Sequence, residues 1–116
     1  MLRFLIAVPL VAVGLAAAPA EAQAATAGDA AKGREKVQMC QGCHGIEGWR
    51  TAFPEVYKVP RIAGQHPEYL VRALQAYKNG ERSHLTMKAI ASSLSDADMA
   101  DIAAYYGQPA TRMAGK

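Results

Sequence analysis

Residues 40–44 read Cys-Gln-Gly-Cys-His, and they hold both cysteines of the chain. In a helical turn, side chains three and four apart share a face, so Cys40, Cys43 and His44 project together. Two thiols at this spacing, followed at once by an imidazole, form the pattern for covalent haem attachment. The thiols add across two vinyl groups, and the imidazole lies beneath the iron. Two other chemistries use paired cysteines. A redox dithiol sits in a strand–helix setting, and no strand pattern precedes Cys40. A zinc site takes four ligands, whereas the motif offers three and no second metal-binding pair follows. One haem, with His44 as an axial ligand, is the expectation.

A ligating imidazole donates through its other ring nitrogen, which fixes the tautomer and raises ligand basicity. The carbonyl of Pro60 is the candidate acceptor, because proline stiffens both itself and the preceding Val59. For the sixth position, methionine raises the potential relative to a second histidine. Met39 adjoins Cys40 and cannot reach the opposite face, Met99 reads as core, and Met113 lies in the tail. Met87 remains, read as a loop residue between helices that can flank the haem. His84 and His66 are its rivals. An empty sixth position would instead imply a gas-binding or peroxidatic protein.

The chain has 116 residues, few for more than one domain. Arg3 precedes an apolar run over residues 4–18, interrupted by Pro9 and Gly14. Small residues follow, and Ala22-Gln23-Ala24 fits the small-x-small rule for signal cleavage. The run falls short of the ~20 residues that span a bilayer. Residues 1–24 therefore read as a cleaved secretory signal and residues 25–116 as the haem domain. This implies a periplasmic location without stable membrane insertion. The net charge of +3 is unchanged by loss of Arg3 and Glu21, and it is too small for a nucleic-acid footprint.

The fold reads as all-α, with three main helices and short additional ones. Asp29 is the expected N-cap of a helix running to about Cys40, beyond which Gly42 and Gly45 loosen the chain. Residues 45–65 read as an ordered loop. Pro67 suits a first helical position, and Leu70, Ala73, Leu74 and Tyr77 form an apolar stripe that ends at Asn79-Gly80. A short helix is expected over about 88–93. Ser95 and Asp98 mark a capping box, ahead of an apolar face of Met99, Ile102, Ala103 and Tyr106 that Gly107 and Pro109 close.

Taken together, these segments resemble a class I c-type cytochrome. The residues that carry the likeness are Cys40 to Gly45, Pro60-Arg61-Ile62-Ala63-Gly64-Gln65, Tyr69-Leu70, Tyr77 to Arg82, Met87, Leu94-Ser95-Asp96 with Asp98, and Ala104-Tyr105-Tyr106. Within that class the chain is similar to the cytochrome c553/c4 group and to haem subunits of flavocytochrome c sulfide dehydrogenases. The resemblance implies His44/Met87 ligation of one covalent haem c and its iron. It also implies that the first and last helices cross, with Gly33 near Ile102 and Tyr105. The c4 type has two such domains, and one motif here implies one haem. The family pattern has Met-Met where this chain has Thr86-Met87. The implied role is single-electron transfer between redox protein partners, either as a free shuttle or as the haem subunit of a flavoprotein or other dehydrogenase. An oxidase is a further possible partner. Lys32, Arg50, Lys58, Arg61, Arg82 and Lys88 could steer an acidic partner; equally, they could be ordinary solvated charges.

Overall fold

The computed structural model describes residues 27–53 and 56–109. The signal assigned to residues 1–24 and the tail methionine Met113 lie outside them. Five helices follow in order: α1 (Ala30–Lys36), α2 (Gln38–His44), α3 (Pro67–Asn79), α4 (Leu85–Ser92) and α5 (Asp96–Tyr106). Among the described residues there is no strand, only an isolated antiparallel bridge between Arg50 and Lys58. No described helix is long and apolar enough to cross a membrane.

Asp29 caps α1, its carboxylate accepting from the Ala31 and Lys32 amides and so satisfying two donors that the first turn leaves open. The helix does not run unbroken to Cys40. It breaks at Val37 (φ −82°, ψ 1°), and α2 then continues through Gly42 to His44. Hydrogen bonding survives the break, because the Val37 carbonyl accepts from the Cys40 and Gln41 amides, both at 2.9 Å. Val37 itself is fully buried. The break thus falls where a β-branched side chain is held in the core, and Gly42 is accommodated within a helix whose ladder stays intact.

Pro67 opens α3 as expected, and Gly80 ends it at φ 88°, a conformation that costs a residue without Cβ little. In α5 the Ser95 hydroxyl accepts from the Asp98 amide, and the Asp98 carboxylate accepts from the Ser95 amide. The short helix begins earlier than expected, at Leu85, so Met87 lies in its first turn and not in a loop.

The core gathers Val37, Leu70, Ile102, Ala103 and Tyr106, with Cys40, Ile62, Leu74 and Leu94 packed against it. It closes where α1 crosses α5. A Cβ on Gly33 would overlap the Asp101 carbonyl and come within 2.9 Å of Tyr105 Cβ. The close approach therefore falls on Asp101 and Tyr105, one residue away from Ile102. An ionic cluster locks the crossing. Lys36 Nζ lies 2.7 Å from Asp98 Oδ1 and 2.7 Å from Asp101 Oδ2, and Asp101 Oδ1 accepts from the Asp29 amide at 2.7 Å.

Hydrogen bonding to Asp101 and then Asp98 holds Lys36 above its ordinary pKa of 10.5. The bond from Lys36 holds both carboxyls below 3.8. A depressed carboxylate stabilises the fold above its unfolded pKa, and that contribution is lost as pH falls through the folded value. The raised ammonium contributes below 10.5 and is lost as pH rises past its folded value. Melting temperature should therefore fall on acidification below about pH 4, more steeply for the native protein than for Lys36→Met. Parallel acid slopes in the two proteins would contradict this assignment.

Candidate haem site

The helix α2 and the loop beyond it carry Cys40, Cys43, His44 and Pro60. Both thiols are free and partly exposed. Burial, with a smaller contribution from Cys43, pushes the Cys40 thiol up from its ordinary value. His44 Nδ1 lies 2.6 Å from the Pro60 carbonyl oxygen. A carbonyl only accepts, so Nδ1 carries the proton, and the Nε2 lone pair is left for a ligand.

The core holds that carbonyl in place. Ile62 and Ala63 pack on the core cluster, and the Gly64 amide donates to the Tyr106 carbonyl at 2.7 Å. Gly64 makes this turn at φ 81°. Residues 60–64 thus run from the end of α5 back to His44. The intervening loop is cross-tied where the Thr51 amide donates to the Tyr57 carbonyl and the Val59 amide to the Trp49 carbonyl, each at 2.9 Å.

Met87 stands apart on α4, partly buried, with no hydrogen bond to α2. The loop bridges the gap. Thr51, Phe53 and Tyr57 face Ser83, His84, Leu85 and Thr86 across a cleft. His66, a rival for the sixth position, lies exposed at the start of α3. His84, the other rival, caps α4: its Nδ1 accepts from the Met87 amide at 3.3 Å. Histidine is not among the favoured caps, so no sequence pattern could have marked this role. Met99 is buried and Met39 exposed.

These residues fit a haem. Cys40, Cys43 and His44 do not converge as a cage for a bare ion, and no other group of three His, Cys, Asp or Glu side chains among the described residues does so. Two thiols without partners and an imidazole with one free nitrogen are the donor set for thioether attachment with axial ligation. Large apolar side chains flank the cleft in the open, Phe53 at 86% and Leu85 at 73% exposure, a cost in water that an apolar macrocycle would relieve. The Tyr106 hydroxyl is buried beside Cys40 without a hydrogen-bond partner. Burial raises its pKa above the ordinary tyrosine value.

The family model for cytochrome c matches residues 30–107. The chain belongs to the cytochrome c family. Cytochromes c carry electrons, and their cofactor is covalent haem c with its iron, which Cys40 and Cys43 are spaced to bind. Cytochrome c-554(548) of Halomonas halodenitrificans is 43% identical over 69% of this chain and 95% of its own length. Cytochrome c4 of Pseudomonas aeruginosa is 42% identical over 69% of this chain. This chain spans only 38% of that relative. A crystal structure of reduced cytochrome c4 from Pseudomonas stutzeri superposes with a TM-score of 0.58 at 38% identity, covering 72% of this chain and 46% of the other. The cytochrome subunit of a sulfide dehydrogenase from Chlorobaculum tepidum is 35% identical over 59% of this chain and 57% of its own length. The class I cytochrome c fold accounts for the five helices.

The acceptor for His44 is a main-chain atom, which any residue at position 60 would supply. Pro60→Ala should therefore keep the His44 Nδ1–H resonance hydrogen-bonded. It should lower stability by about 0.4–1 kcal/mol, mainly by freeing the unfolded chain. Loss of that resonance would show that the ring conformation of proline itself is required.

Proposed function

We propose that this chain is a periplasmic cytochrome that shuttles single electrons between protein partners. One haem is attached at Cys40 and Cys43 and ligated axially by His44 and Met87. The observation that carries the proposal is the hydrogen bond from His44 Nδ1 to the Pro60 carbonyl, which leaves the other ring nitrogen available to a metal. Haem iron supplies a one-electron ferrous/ferric couple. The chain supplies the rest. Cys40 and Cys43 hold the macrocycle at two points, and the Pro60 carbonyl keeps the imidazole basic and correctly turned. Met87 offers a soft sulfur that favours the reduced form. The cross-ties of the loop and the bond from Gly64 to Tyr106 hold the His44–Pro60 side of the site, which favours a small reorganisation on that side.

A second reading, the electron-accepting haem subunit of a flavoprotein or other dehydrogenase, draws support from the likeness to the sulfide dehydrogenase cytochrome subunit. Gel filtration of a native extract separates the two, since a subunit elutes with its partner.

Met87→Ala should abolish the methionine–iron charge-transfer band of the ferric protein and let the ferrous form bind carbon monoxide. A band that survives would reassign the ligand. Carbon monoxide binding by the native ferrous protein would favour an open-site haem enzyme or gas sensor.

Some of the candidate steering charges already have partners. Arg61 lies 3.6 Å from Glu47, and Arg82 sits over the Tyr77 ring at 5.0 Å. Lys32, Arg50, Lys58 and Lys88 are exposed as well. If they steer an acidic partner, electron-transfer rates should fall as ionic strength rises from about 0.01 to 0.15 M, over which the screening length shrinks from roughly 30 to 8 Å. Flat rates would make them ordinary surface charges.

A further inference from the structure

We propose that His84 is a positioning residue for the axial methionine: its ring caps the helix that carries Met87, and the loop after the haem motif holds that ring in place. The proposal rests on Met87 as the sixth ligand.

α4 is a helix of eight residues, too short to be stable without help from its ends and its packing. Its first-turn amides need acceptors, and Met87 owns one of them. His84 is extended (φ −165°, ψ 114°) and meets the turn twice. Its Nδ1 accepts from the Met87 amide at 3.3 Å, and its carbonyl accepts from the Lys88 amide at 2.8 Å. Accepting at Nδ1 leaves the ring proton on Nε2.

An imidazole can rotate away from a cap unless something blocks it. Here the Tyr57 ring lies against it, with centroids 4.9 Å apart and planes tilted by 54°. Tyr57 belongs to the same cross-tied loop that follows the haem motif and leads to Pro60. The backbone of Met87 is thus linked through one imidazole to the segment that orients His44. A side chain at the N3 position of a frayed first turn has no fixed place, so losing the cap should weaken the hold of Met87 on the iron. The other histidine at a helix start, His66, makes no side-chain cap bond and serves as the control.

The test uses the haem-loaded native protein, H84A, H84N, H66A and M87A. It reads hydrogen exchange of the Met87 amide and the affinity of the ferric form for added imidazole. H84A should raise both about fivefold, the loss typical of a removed N-cap, and H84N should restore both because asparagine is a strong cap. H66A should match the native protein. Native values in H84A would overturn the positioning role, as would an H84N protein as perturbed as H84A. M87A should lose the methionine–iron charge-transfer band. A band retained in M87A would overturn the ligand assignment itself, a failure seen in a different protein from the failure of the cap.

Discussion

The contact between Gly33 and α5 governs the rest of the architecture. Only a residue without Cβ lets α1 lie against the Asp101 carbonyl, and at that separation Lys36 reaches two carboxylates on α5. The crossing buries Val37 against Ile102 and Tyr106 and sets the start of α2. The haem motif inherits its position from there. The far end of α5 then anchors Gly64, and through it the carbonyl that orients His44. One helix therefore fixes both the attachment turn and the acceptor for its imidazole.

Electrostatics and apolar burial divide the work between the two sides of the domain. The α1–α5 seam carries the Lys36–Asp98–Asp101 cluster, where each charge has an opposite partner. The side bearing the motif carries few such pairs and leaves Phe53, Val56 and Leu85 in the open. An apolar cofactor suits that side because the neighbouring loop offers it exposed carbon surface.

Much of this was legible in the residues. Asp29, Pro67, Gly80 and the Ser95–Asp98 box mark helix ends through local chemistry, and the structure places the ends there. The attachment motif is equally local. What escaped depends on tertiary context. The helix break at Val37 falls on a buried side chain rather than on a glycine or proline, and Gly42 does not loosen the helix it sits in. Sequence pattern places the start of α4 three residues late because its cap is a histidine, whose capping depends on Tyr57, 27 positions away in sequence. Without that cap in view, Met87 read as a loop residue.

The α1–α5 crossing also bears on how the domain assembles. The bond from Lys36 to Asp101 joins positions 65 apart, and that from the Asp29 amide to Asp101 joins positions 72 apart. Contacts of such range carry a large ring-closure entropy and slow the search for the native topology. The α3–α4–α5 region can organise through shorter connections, whereas the seam must await both of its distant segments. The attachment cysteines lie just beyond α1, so they gain their final surroundings only when that seam closes.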